Sequence, residues 1–90
     1  MKEQFIELFQ SDKFRVEKII SPINCELQQE WYDQAEHEWV HLVQGSAVLE
    51  FEDKQVELAA GDSLEIPAHT KHRVVKTSSE QQTIWLAVFY

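Results

Sequence analysis

Residues 37–41, "HEWVH", set two histidines four positions apart with a glutamate beside the first. On a helix this is zinc-hydrolase chemistry, with two imidazoles holding a metal from one face and the glutamate acting as base. That reading requires residues 37–41 to be helical. Ala35, Trp39 and Leu42 do fall at helical spacing, and Asp33 is a candidate N-cap. Against it, "WVHLVQG" is dense in strand-favouring residues and Gly45 closes the run. Gln44 stands where the extended zinc pattern has a glycine, and no further histidine comes before His69. On a strand, His37 and His41 share a face but stand about 13 Å apart, too far for one metal. The strand also turns Glu38 to the opposite face, with Val40 and Leu42, and makes it the residue of interest.

The elements around this stretch decide between the two. "EQFIELF" places Phe5, Leu8 and Phe9 at helical spacing and predicts one or two helical turns, so residues 1–12 read as a short helical segment. The texture then changes. "FRVEKII" alternates Phe14, Val16, Lys18 and Ile20 against Arg15, Glu17 and Ile19, and Ser21-Pro22 ends it. "NCELQ" is a short candidate strand. "AVLEFE" and "QVEL" face each other across "EDK" as a hairpin. "AAGD" is a second turn leading into "SLEI", and "HRVVK" and "TIWLAVF" follow as strands. The last is apolar on both faces, as a central strand would be. Seven or eight short strands with regular turns predict an all-β sandwich or barrel over residues 13–90, which favours the strand reading of "HEWVH".

Composition narrows the function classes. Ninety residues with 43% hydrophobic and 11% aromatic content suit one domain with a packed core. Eight Lys and Arg against sixteen Asp and Glu give a formal net charge of −8, which argues against a nucleic-acid partner. Cys25 is the sole cysteine, so no intrachain disulfide forms. The N-terminus has acids where a signal peptide has an apolar run, and no window is long enough to span a membrane. The expectation is a cytoplasmic protein with no membrane partner.

Glu38, six residues, then Gly45 resembles the second half of the first signature of the cupin superfamily. "GDSLEIPAHTKH" resembles its second signature: Gly61, five residues, Pro67, one residue, His69 where the family has Gly, and then His72. The chain is similar to small single-domain bacterial cupins over roughly residues 13–89. The resemblance implies a jelly-roll β-barrel whose interior holds divalent iron, manganese, nickel, zinc or copper through histidines and one glutamate. Glu38 matches that glutamate and His72 the last histidine. The family's His-x-His pair falls on Trp31 and Asp33, or on Tyr32 and Gln34, depending on spacing.

Three outcomes stay open. Gln34 or Asp33 serves as an oxygen ligand beside Glu38 and His72; His69 swings in from its turn; or the barrel is metal-free. The candidate metal residues are therefore Glu38, His72, Gln34 and His69. The main expectation is an interior pocket for a small polar or carboxylate ligand with a divalent cation. The alternatives are a metal-free binding module and, if residues 37–41 are helical, a metallohydrolase. A homodimer is expected in either cupin reading, with "TIWLAVFY" apolar on both faces.

Overall fold

A computed structural model describes residues 2–25, 27 and 30–90. Eight strands make up its regular structure: β1 (Gln4–Gln10), β2 (Arg15–Ser21), β3 (Glu38–Gln44), β4 (Ser46–Phe51), β5 (Gln55–Ala59), β6 (Ser63–Ile66), β7 (His72–Thr77) and β8 (Thr83–Phe89). They form two sheets, ordered β1-β2-β8-β3-β6 and β5-β4-β7, with every pairing antiparallel. Inward residues of both sheets meet in one core, which joins Val40, Leu42, Trp85 and Ala87 of the larger sheet to Leu49 and Val74 of the smaller. The chain is the all-β barrel that the alternating runs predict. No helix among the described residues is long and apolar enough to cross a membrane.

The "HEWVH" segment is strand, so the metallohydrolase reading falls. Glu38, Val40 and Leu42 are buried while Trp39 and Val43 are exposed, the period-2 pattern of a one-sided strand. His37 and His41 lie away from Glu38. The His37 ring accepts from the Ala68 amide at 3.0 Å, and His41 Nδ1 meets Ser63 Oγ at 2.7 Å.

One expected element is corrected. Residues 4–10 are not helical but form β1, paired with β2. A register shift between Glu7 and Phe9 leaves Leu8 unpaired, which gives Phe5, Leu8 and Phe9 a spacing that imitates a helix. Two helical turns are marginal in water, whereas the free edge of β2 offers a ready ladder. The candidate strand "NCELQ" does not form at Asn24, Cys25 or Leu27, while Glu26 and Gln28 lie outside the described residues.

Gly45 joins β3 to β4 and is fixed by two constraints. Its φ is +90°, and an added Cβ would lie 2.5 Å from Thr83 Oγ1 and 2.9 Å from the Thr83 Cα. The glycine of the first signature is thus required by a tight turn pressed against β8. The expected hairpin at residues 52–54 also forms, with the Phe51 amide donating to the Lys54 carbonyl at 2.8 Å.

Candidate functional site

A cavity of about 160 Å³ opens into the barrel between the two sheets. Ile19, Val40, Leu49, Ile66, Trp85 and Phe89 form most of its wall. Its polar groups, Glu38, His72, Gln34 and Tyr32, gather from β3, β7 and the segment before β3. Glu3, Phe5 and Arg15 line it from the β1–β2 hairpin.

Strand parity delivers the two central groups. Glu38 begins β3 with its side chain inward and is 8% exposed; His72 begins β7 and is 4% exposed. His72 Nδ1 lies 2.7 Å from the Thr70 carbonyl, which only accepts, so Nδ1 carries the proton. That contact turns Nε2 inward, 3.4 Å from Glu38 Oε1. Gln34 Nε2 donates to the same oxygen at 3.0 Å. Burial works against charge on His72, but the contacts with Glu38 and the Thr70 carbonyl outweigh it and raise its pKa above the ordinary 6.5.

An isolated bridge aligns the segment before β3. Tyr32 and His72 exchange backbone hydrogen bonds of 2.8 and 3.1 Å, which brings Tyr32 and Gln34 to the cavity. The Tyr32 ring meets His72 edge-on at 5.9 Å. Burial first, then the charges of Glu3 and Glu38, push the Tyr32 hydroxyl above its ordinary 10.0, so it stays a proton donor. Trp31 and Asp33 take other partners: Arg73 stacks 4.3 Å over Trp31, and Asp33 Oδ1 meets His69 Nδ1 at 3.1 Å.

Of the four candidate metal residues, the structure brings Glu38, His72 and Gln34 together. His69 stands apart, its side chain 70% exposed and engaged with Asp33. Its φ of 59° explains why the signature has Gly at this position: the turn needs a left-handed residue. Sequence reasoning missed Arg15, Glu3 and Phe5. The alternation of "FRVEKII" did group Arg15 with Ile19, yet nothing in it says that this less apolar face turns inward.

Two ligand atoms about 2.0–2.2 Å from one ion lie about 3–3.5 Å apart, so Glu38 Oε1 and His72 Nε2 are suitably spaced. The third group is an amide, and no cluster of three His, Cys, Asp or Glu suited to a metal exists among the described residues. The set matches half of a four-donor site.

A family model for the cupin domain matches residues 24–89. The chain belongs to the cupin family. It is similar to a crystal structure from Ralstonia eutropha JMP134, provisionally named a mannose-6-phosphate isomerase: 38% identity, TM-score 0.88, covering 97% of this chain and 82% of that one. A cupin superfamily protein from Desulfitobacterium hafniense DCB-2 shares 20% identity at TM-score 0.79, covering 97% and 75%. The cupin domain of Schizosaccharomyces pombe Cnp3 shares 11% at TM-score 0.85, covering 97% and 59%. These last two show the fold alone. No curated protein matches the chain in sequence.

Proposed function

We propose that this protein is a small-molecule-binding cupin whose interior pocket is organised by the Glu38–His72 pair rather than by a tightly held metal. The observation behind this reading is that the buried part of the polar cluster is held by its own hydrogen bonds. Glu38 is met by Gln34 and His72, and His72 by the Thr70 carbonyl. No buried side-chain nitrogen or oxygen among the described residues lacks a partner. A site built around a missing ion leaves buried donors or acceptors unsatisfied, at substantial cost. The geometry assigns no reaction. The isomerase name of the Ralstonia structure does not transfer readily, because Arg15, the one Arg or Lys lining the pocket among the described residues, is engaged by Glu17 and Glu36 at 3.1 and 2.9 Å. Ligand binding to chelator-treated protein, read by Trp85 fluorescence, tests the proposal. Saturable binding lost in Glu38→Ala and His72→Ala is expected; binding that survives both changes contradicts it.

The 3.4 Å gap supports a second reading, in which a divalent cation (iron, manganese, nickel, zinc or copper) sits weakly between Glu38 and His72, with the Gln34 amide turned over from its present hydrogen bond so that its oxygen is the third donor. A carboxylate ligand belongs to this reading, since the cation supplies the charge it needs. Either reading takes in a homodimer. Phe9, Val16, Val88 and Trp39 form one cross-strand row on the outer face of the five-stranded sheet. Ile20, Ile84 and Leu86 extend that apolar face, in which Lys18 is the one charged residue on β1, β2, β8 and β3. Among the described residues, no acid stands on the outer face of β1, β2, β8 and β3, and Glu65 of β6 borders it beside Trp39.

A further inference from the structure

Both contacts to Glu38 fall on one oxygen. Gln34 Nε2 and His72 Nε2 approach Oε1, and among the described residues Oε2 has no hydrogen-bond partner. Since no buried side-chain oxygen there is unpartnered, Oε2 is accessible, and for an inward side chain on the cavity wall that means open to the cavity. The pocket thus presents an open oxygen of Glu38, an acceptor only, with Tyr32, Gln34 and Glu3 on the same lining and apolar side chains over most of the wall.

Size and chemistry then limit what fits. An apolar cavity of about 150 Å³ accommodates benzene. An ammonium head must leave water for a mostly apolar wall that also carries the Arg15 guanidinium, a costly desolvation. A carboxylate or phosphate head meets Glu38 directly, with Arg15 already held by Glu17 and Glu36 and stacked 4.2 Å over Phe89. A hydroxyl brings one donor to one acceptor. Building on the binding reading above, we infer that the pocket takes a neutral, mainly apolar molecule of about six to nine heavy atoms bearing one hydroxyl, which donates to Glu38 Oε2. Trp85 and Phe89 on the wall favour a ring as its body.

The test uses chelator-treated full-length protein and four probes followed by Trp85 fluorescence and calorimetry: benzyl alcohol, toluene, benzoate and mannose 6-phosphate. Benzyl alcohol should bind at least about tenfold more tightly than toluene, the margin of a hydrogen bond to a charged acceptor. It should also exceed benzoate and mannose 6-phosphate. Glu38→Gln, which keeps the shape and removes the charge, should narrow the gap between benzyl alcohol and toluene. Equal binding of toluene, or tighter binding of benzoate or mannose 6-phosphate, overturns the hydroxyl inference while leaving a binding pocket in place. If none of the four binds, the hydroxyl inference falls; if no ligand of any class then binds, the binding reading falls with it.

Discussion

His69 and His72 leave the same short turn, "HTKH", and do opposite things. His72 enters β7 with its side chain inward and meets Glu38; His69 sits in the left-handed region and reaches Asp33 on the surface. His69→Gly should therefore leave ligand binding unchanged. Its stability should stay within about 1 kcal/mol of the parent, because relief of the left-handed backbone is offset by glycine's greater freedom in the unfolded chain. Chemical denaturation with a binding assay checks both points. His72 makes a prediction with a sign. Its pKa is raised on folding, so its contribution to stability is fully present below the unfolded value near 6.5 and is lost as pH rises through the folded value. Denaturation midpoints across that range should fall with pH through this contribution, and Glu38→Gln should flatten the dependence. An unchanged slope in that variant contradicts the pairing.

At the scale of elements, Gly45 shows how a turn positions the site. It lets β3 run directly into β4, so that Glu38 on one sheet faces His72 on the other. Gly45→Ala should destabilise the protein by more than about 2 kcal/mol, through positive φ and the clash with Thr83 together. Thermal unfolding measures this directly. Most of this architecture was legible. The alternation of β4 and the strand-favouring residues of β3 and β8 marked strands, the parity of β3 placed Glu38 inward, residues 52–54 marked a hairpin, and residues 59–62 marked a turn that carries the chain from one sheet to the other. β1 was not legible, because a bulge at Leu8 mimics helical spacing and the partner that makes it a strand lies in β2. In β2 the alternation was visible but its sense was not. The more apolar face, with Val16 and Ile20, turns outward, and the face with Arg15 and Glu17 lines the barrel. At the site, strand parity pointed to Glu38, and the resemblance to the cupin signatures pointed to Glu38 and His72. The choice of Tyr32 and Gln34 over Trp31 and Asp33 needed the Tyr32–His72 bridge, a long-range contact that no local pattern encodes.

For the whole molecule, the inverted sense of β2 and the exposed side chains of β1 have one consequence. Phe9 is 54% and Trp39 36% exposed at opposite ends of an apolar row that crosses four strands. A chain with a net charge of −8 keeps the four-strand part of that face free of acids among the described residues, with Glu65 only at its border beside Trp39, as a surface covered by a second copy would be. Light scattering after size exclusion should give twice the 10.6 kDa chain mass, and Leu86→Lys should return the monomer with its fold intact by circular dichroism. A monomeric parent contradicts this. Inside the barrel, the buried polar groups are held by one another without a metal. Elemental analysis of untagged protein, beside Glu38→Ala and His72→Ala, tests that claim most directly. The account predicts metal far short of stoichiometric and no dependence on either residue. One equivalent of iron, manganese, nickel, zinc or copper, lost in both variants, would contradict it and establish the second reading.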